Sequence, residues 1–242
     1  MEYAKICDIG KVRKVNQDRV LAVSNKDTGL FVVADGMGGY SEGEKASQKI
    51  IEKMERWWEK FCFKQCKSDF SQNVLQLEQE LLHVNREIYL KYNKGKICGS
   101  TIALLFICKN VYAVISAGDS RAYVYSRRKL VQLTMDEVWE NQQCLTEQER
   151  KKDWDRQHGK LYNAVGIRER MQYRVSVHEW NHGMVFLLCS DGLYKYCSEW
   201  HLKKCLKKAK REKDMQTCAV SLLKEVYQRE AEDNVSIIII KA

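Results

Sequence analysis

The chain has no proline among its 242 residues. It also lacks a linker, an internal repeat and a low-complexity tract, so nothing in it marks a boundary between separate units. No stretch comes near the ~18 apolar residues needed to span a bilayer. The start, Met1-Glu2-Tyr3-Ala4-Lys5, carries no apolar signal core. These absences predict a cytoplasmic protein without a membrane segment. Cysteine is not scarce, at ten, but its setting excludes a disulfide scaffold. Cys98, Cys108 and Cys189 lie in or beside apolar runs, where a free thiol acts as a small hydrophobe. Reduced thiols in a reducing compartment are expected.

What is present suffices for a normal core. Hydrophobic residues make up 45% of the chain, and the length suits one large domain over residues 1–242. The formal net charge is +9, and much of it sits in Lys203-Lys204-Cys205-Leu206-Lys207-Lys208-Ala209-Lys210-Arg211-Glu212-Lys213. A basic run can meet an anionic partner. Here no aromatics alternate with the lysines, so bases have no stacking platform. The run reads as the solvated face of a surface helix, and no nucleic-acid partner is expected.

Periodicity predicts the elements. Residues 19–24 and 30–34 read as strands around a polar turn. Two long helices follow, from about Glu42 to Phe63, with Ser41 as cap, and from about Phe70 to Tyr92. Short strands come next at Thr101–Cys108, Val111–Ala117, Ala122–Ser126 and Lys129–Leu133. Residues 136–160 are polar and read as a partly helical excursion. Strands resume at Met171–Val177 and Met184–Cys189. Helices from about Glu199 to Lys210 and Met215 to Glu230 precede a last strand, Val235–Lys241. Closely spaced strands favour antiparallel pairing. The predicted class is α+β, with two packed antiparallel sheets between helix pairs.

Four acids share one setting. Asp35 follows the apolar run Leu30–Ala34, Asp119 follows Val111–Ala117, Asp191 follows Val185–Ser190, and Asp233 precedes Val235–Lys241. One such aspartate is ordinarily a turn residue. Four converging from strand ends would repel one another unless cations lay between them, and an all-oxygen site suits Mg²⁺ or Mn²⁺. Other patterns weigh less. His178-Glu179-Trp180-Asn181-His182 has zinc-protease spacing, but that motif needs a helix, and here it lies between strand-like runs. Gly36 to Ser41 lacks the third glycine of a dinucleotide loop. Cys62 and Cys66 have no second pair at metal-ligand spacing. Trp57-Trp58 reads as core and rim of one helix.

Together these segments resemble the type 2C family of metal-dependent protein phosphatases, above all its compact bacterial members. The resemblance is carried, in family order, by Gly10-Lys11-Val12-Arg13, Asn16-Gln17-Asp18, Asp35-Gly36-Met37-Gly38-Gly39, Gly43-Glu44-Lys45-Ala46-Ser47 and Cys98-Gly99-Ser100-Thr101. It continues through Gly118-Asp119-Ser120-Arg121, Leu133-Thr134, Asn163-Ala164-Val165-Gly166, Ser190-Asp191-Gly192-Leu193 and Asp233-Asn234-Val235-Ser236. It implies hydrolysis of phosphoserine and phosphothreonine in proteins by a metal-activated water attacking phosphorus in line. Asp35 would bridge two Mn²⁺ or Mg²⁺ ions, and the Gly36 carbonyl would bind the second. Asp191 and Asp233 would complete the first site. Asp119, with Asp191, would hold a weaker third ion. Gln17 and Asp18 would hold metal-bound waters, and Arg13 would fork onto the substrate phosphate. Implied partners are phosphorylated proteins and a cognate Ser/Thr kinase, for a chain expected to be a monomer.

Two departures stand out. Tyr40 occupies a place where many relatives carry histidine, a proton-donor candidate, and tyrosine is a weak acid near neutral pH. After Leu133-Thr134, relatives read Asp-His-Ser, whereas this chain reads Met135-Asp136-Glu137. The excursion of about 135–160 corresponds to the family's flap beside the active site. The alternative reading is a catalytically impaired regulatory or phosphoprotein-binding relative.

Overall fold

The computed structural model describes residues 1–38, 42–63, 69–93, 97–180, 183–212 and 214–241. Within these, strands β1 (Glu2–Asp8), β2 (Asp18–Ser24) and β3 (Thr28–Met37) lead into helices α1 (Glu42–Phe63) and α2 (Phe70–Tyr92). Strands β4 (Gly99–Ser100), β5 (Ile102–Cys108), β6 (Val111–Ala117), β7 (Arg121–Ser126) and β8 (Lys129–Gln132) follow. A 3₁₀ turn (Trp139–Asn141) and helix α3 (Glu147–Gln157) form the excursion. Then come β9 (Arg174–Glu179), β10 (Val185–Cys189), α4 (Asp191–Tyr194), α5 (Glu199–Glu212), α6 (Met215–Gln228) and β11 (Val235–Lys241).

All strand pairs are antiparallel. One sheet runs β1-β11-β10-β7-β8, the other β2-β3-β5-β6-β9, with β4 beside β3. The period of two along each strand assigns its side chains to layers. On β3, Leu30, Val32 and Ala34 pack with α1 and α2, while Phe31 and Val33 face the other sheet. On β11, Ile238 and Ile240 enter the same inter-sheet core, while Ile237 and Ile239 pack against α5 and α6. Both faces of these central strands are buried, which explains their continuous apolar runs. The order of layers is helix pair, sheet, sheet, helix pair, as expected of an α+β sandwich.

Helix α1 turns Ile50, Met54, Trp57 and Phe61 inward at helical spacing. Trp57 and Trp58 are both buried rather than divided between core and rim, with Trp57 stacked on Phe61 at 5.1 Å. Helix α2 is capped by Asp69, whose side chain accepts from the Phe70 N–H. The basic run lies on α5, with Leu202, Leu206 and Ala209 buried and its lysines exposed. Ser41, Tyr40 and Cys66 lie outside the described residues.

Four elements differ from expectation, the first being the short strand β4, Gly99–Ser100, ahead of the expected Thr101–Cys108 run. Strand β1 pairs with β11 along its length, yet as an edge strand it shows little alternation to read. Strand β9 begins at Arg174 rather than Met171, because Met171 is drawn into the core beneath the helices while Val175 and Val177 stay exposed on the sheet edge. Helix α4 follows β10 after a single residue. His178 and Glu179 belong to β9, so the helix needed for zinc-protease spacing is absent there. Asn181 and His182 lie outside the described residues.

Candidate active site and metal centre

The acids meet at one end of the sandwich because of strand direction. Asp18 begins β2 and Asp35 lies near the end of β3, and the antiparallel register places them opposite each other. Asp191 follows the end of β10 and Asp233 precedes β11, which pair the same way. Asp119 follows the end of β6. Asp35, Asp119, Asp191 and Asp233 line one cleft of about 470 Å³ with Arg13, Gln17, Gly36 and Lys195. Gly159, Lys160 and Leu161, at the return of the 135–160 excursion, form part of its wall. The sequence-predicted site residues are therefore brought together, with Asp18 buried just behind.

The backbone around them is held tightly. The Asp35 N–H donates to Thr101 Oγ1 at 3.1 Å, and the Thr101 N–H donates to the Asp35 carbonyl at 2.8 Å. Thr101 Oγ1 lies 2.7 Å from Ser120 Oγ, tying the start of β5 to the Asp119 loop. The Gln17 N–H donates to Asn234 Oδ1 at 2.8 Å, while Asn234 Nδ2 donates to the Ile9 and Val15 carbonyls. Asn234 thus staples the Arg13 loop to the Asp233 end of β11. Ser190 Oγ donates to Asp18 Oδ2 at 2.8 Å and accepts from the Ser236 N–H at 3.0 Å. Close packing accompanies this: a Cβ on Gly36 would lie 2.2 Å from the Gly43 carbonyl oxygen.

The charge balance is unusual. Burial, reinforced by Asp18, Asp191, Asp119 and Asp233, holds the Asp35 carboxyl well above the ordinary range. Burial and the neighbouring Asp191 push Asp119 up to about 7. Burial raises Asp18 to about 6 despite its bond from Ser190. Carboxylates that raise one another in this way are poised for a cation. Two buried oxygens, Asp18 Oδ1 and Asp191 Oδ1, have no hydrogen-bond partner.

Two side-chain cations already pair with acids of the cleft. Arg13 Nη2 donates to Asp233 Oδ2 at 2.8 Å, and Lys195 Nζ donates to Asp191 Oδ2 at 2.5 Å. With these contacts in place, no three His, Cys, Asp or Glu side chains among the described residues enclose an ion as they lie. The donor set nevertheless suits a hard divalent ion: carboxylate oxygens, one of them bare at Asp191, beside the closely approached Gly36 backbone. Lys195 and its neighbour Tyr194, which donates to Asp119 Oδ2 at 3.2 Å, were not foreseen. The signal was available only to a reading that began a helix at Asp191, which would have set Lys195 one turn on.

The sequence profile of protein phosphatase 2C matches residues 11–235. The chain belongs to that family. By family it is a protein serine/threonine phosphatase. It is 26% identical to the serine/threonine phosphatase stp of Listeria welshimeri, over 97% of this chain and 93% of that one. Its fold is similar to that of PppA, a regulatory component of the type VI secretion system in Pseudomonas aeruginosa, with a TM-score of 0.80, 26% identity and coverage of 100% and 99% of the two chains. It is also similar in fold to the catalytic domain of the phosphatase PstP solved with two manganese ions, with a TM-score of 0.77 at 23% identity and coverage of 98% and 96%.

Proposed function

We propose that the protein phosphatase 2C fold here forms one catalytic domain that hydrolyses phosphoserine and phosphothreonine in proteins at a binuclear Mn²⁺ or Mg²⁺ centre. The observation that carries this reading is the convergence of Asp35, Asp119, Asp191 and Asp233 on one cleft, where burial and then neighbouring acid charge raise the Asp35 and Asp119 carboxyls. The presence of two manganese ions in the PstP structure supports it. Asp35, Asp191, Asp233 and the Gly36 carbonyl would hold the ions, and Gln17 and Asp18 would orient water beside them. When bound, such ions acidify water for in-line attack on phosphorus and offset the charge of the phosphoryl oxygens.

The chain's own groups do the positioning. Arg13 lines the cleft, its side chain 54% exposed and held by Asp233. With Asp233 serving as a metal ligand, the Arg13 guanidinium would be free to fork onto a phosphate. Asp18, fixed by Ser190, stays buried against Asp35 and can hold a proton on one oxygen. Phosphate monoesters are among the slowest substrates to hydrolyse unaided, so concentrated, preset charge is what the reaction needs. The partners on this reading are phosphorylated proteins and the Ser/Thr kinase that modifies them, and the chain acts as a monomer. No helix among the described residues is long and apolar enough to cross a membrane.

The test is release of phosphate from a phosphothreonine peptide with and without Mn²⁺, for the wild type and Asp191→Ala. Activity should require Mn²⁺ and fall by at least ~10²-fold in the variant. Activity that ignores metal, or survives the substitution, would refute the mechanism. Metal-dependent peptide binding without turnover would favour the phosphoprotein-binding reading instead.

A further inference from the structure

The Asp119–Asp191 pair has a cation of its own. Asp191 opens α4, and the Lys195 N–H donates back to the Asp191 carbonyl at 3.1 Å, so the two side chains share a face one turn apart. Lys195 Nζ lies 2.5 Å from Asp191 Oδ2. Asp119 is 5% exposed, and its Oδ2 is taken by the Tyr194 hydroxyl at 3.2 Å. Tyr194 is itself fixed, since the Arg121 guanidinium lies 3.5 Å from its ring centroid. Arg121 is clamped by Asp136 through Nε at 3.0 Å and Nη2 at 2.6 Å. Asp136 lies in the Met135-Asp136-Glu137 segment, where this chain departs from its relatives. Thus one oxygen of each acid is committed to the chain, and the departing segment braces the arrangement. Asp191 Oδ1 is buried without a hydrogen-bond partner, in a residue that lines the cleft with Asp35.

We propose that Lys195 is a built-in cation for Asp119 and Asp191: its ammonium, with the Tyr194 hydroxyl, occupies the place expected for a third divalent ion, so the chain holds two ions rather than three. This rests on the binuclear reading above. An ammonium hydrogen-bonded to a largely buried carboxylate neutralises charge without needing the several oxygen ligands that a divalent ion requires. A third ion would have to displace the Lys195 ammonium from Asp191.

The test is Mn²⁺ stoichiometry by equilibrium dialysis and metal analysis, with folding checked by circular dichroism. The wild type should bind two ions per chain, and Lys195→Arg should also bind two. Lys195→Met should bind a third, weaker ion, and the double variant Lys195→Met with Asp119→Asn should return to two. The Lys195 side chain is 53% exposed, so its replacement should leave the fold intact; Lys195→Gln provides a second, polar replacement. Three ions in the wild type, or no third ion in either Lys195→Met or Lys195→Gln, would overturn the proposal. Fewer than two in the wild type would overturn the binuclear reading, and this proposal with it.

Discussion

Asp18 and Asp35 stand directly opposite each other across the β2–β3 ladder. Like charges in that position are destabilising, so the register itself creates a demand for protons or metal. Burial is the largest reason that Asp18 rises to about 6 and Asp119 to about 7, and burial together with its acidic neighbours holds Asp35 well above its ordinary value. These folded-state values lie above those of an unfolded chain. Between pH ~4 and ~7 the folded protein therefore binds more protons, and its stability falls as pH rises through that window. In chelator, the fold should therefore be less stable at pH 8 than at pH 5. Saturating Mn²⁺ should flatten or reverse the trend, since ions hold the carboxylates ionised. Thermal melts at both pH values, with and without Mn²⁺, check this. Asp119→Asn should reduce the slope in chelator, and an unchanged slope would refute the account.

Ser190 is the hinge between Asp18 and β11. Its hydroxyl donates to Asp18 Oδ2 and accepts from the Ser236 N–H, with all three residues fully buried. Ser190→Ala removes a donor from a buried carboxyl and strands a buried N–H. The expected cost is about 1–3 kcal/mol in urea unfolding, with weaker Mn²⁺ binding because Asp18 becomes harder to ionise. A loss of stability with Mn²⁺ affinity unchanged would show that Asp18 does not serve the ions.

Much of this was legible in the sequence for a physical reason. Strands buried on both faces, such as β3, β5, β10 and β11, are continuous apolar runs, and their ends locate Asp35, Asp191 and Asp233. Helices α1 and α2 matched their predicted bounds because each carries a long 3.6-residue pattern and little to interrupt it. Edge strands β1 and β9 bury little, so they left weak patterns. Register was not legible: nothing in Asn16-Gln17-Asp18 announces that Asp18 will face Asp35. Nor was the pairing of Lys195 with Asp191, which depends on α4 starting at once after β10.

Gly192 marks how closely the two ends of the site approach. A Cβ there would lie 2.0 Å from the Asn234 carbonyl oxygen. Asn234 also fixes Gln17, Ile9 and Val15, so relief would require β11 and the Arg13 loop to move together. Gly192→Ala should cost about 1–3 kcal/mol and should shift Asp191 away from Asp233. Mn²⁺ affinity should fall by more than the loss of stability alone explains. Calorimetric Mn²⁺ titration of folded Gly192→Ala, at a temperature well below its melting point, separates the two effects. Wild-type affinity in the folded variant would show that the close approach is a packing matter only.

The flap should act on recognition more than on chemistry, and Glu137 offers a way to test that. Its carboxylate is 3% exposed and accepts from the Gly118 N–H at 3.0 Å and from Asn163 Nδ2 at 2.5 Å. Arg174 lies 3.5 Å away. The Glu137 backbone adds bonds to the Gly118 carbonyl and from the Tyr162 N–H, both at 3.0 Å. Glu137 therefore anchors the base of the 135–160 excursion to the loop carrying Asp119, while its return, at Gly159, Lys160 and Leu161, walls the cleft. Glu137→Ala strands a buried N–H, at a cost of about 1–3 kcal/mol, and loosens that anchor. A small aryl phosphate needs only the metal centre, whereas a phosphopeptide must also lie along the cleft wall. The KM for the phosphopeptide should rise several-fold, while kcat for the aryl phosphate changes less. Replacing residues 135–160 by a relative's segment should give the same asymmetry on a larger scale. Equal losses on both substrates would mean that Glu137 supports the metal centre through Gly118 and Asp119, and that the flap has no separate role in choosing substrates.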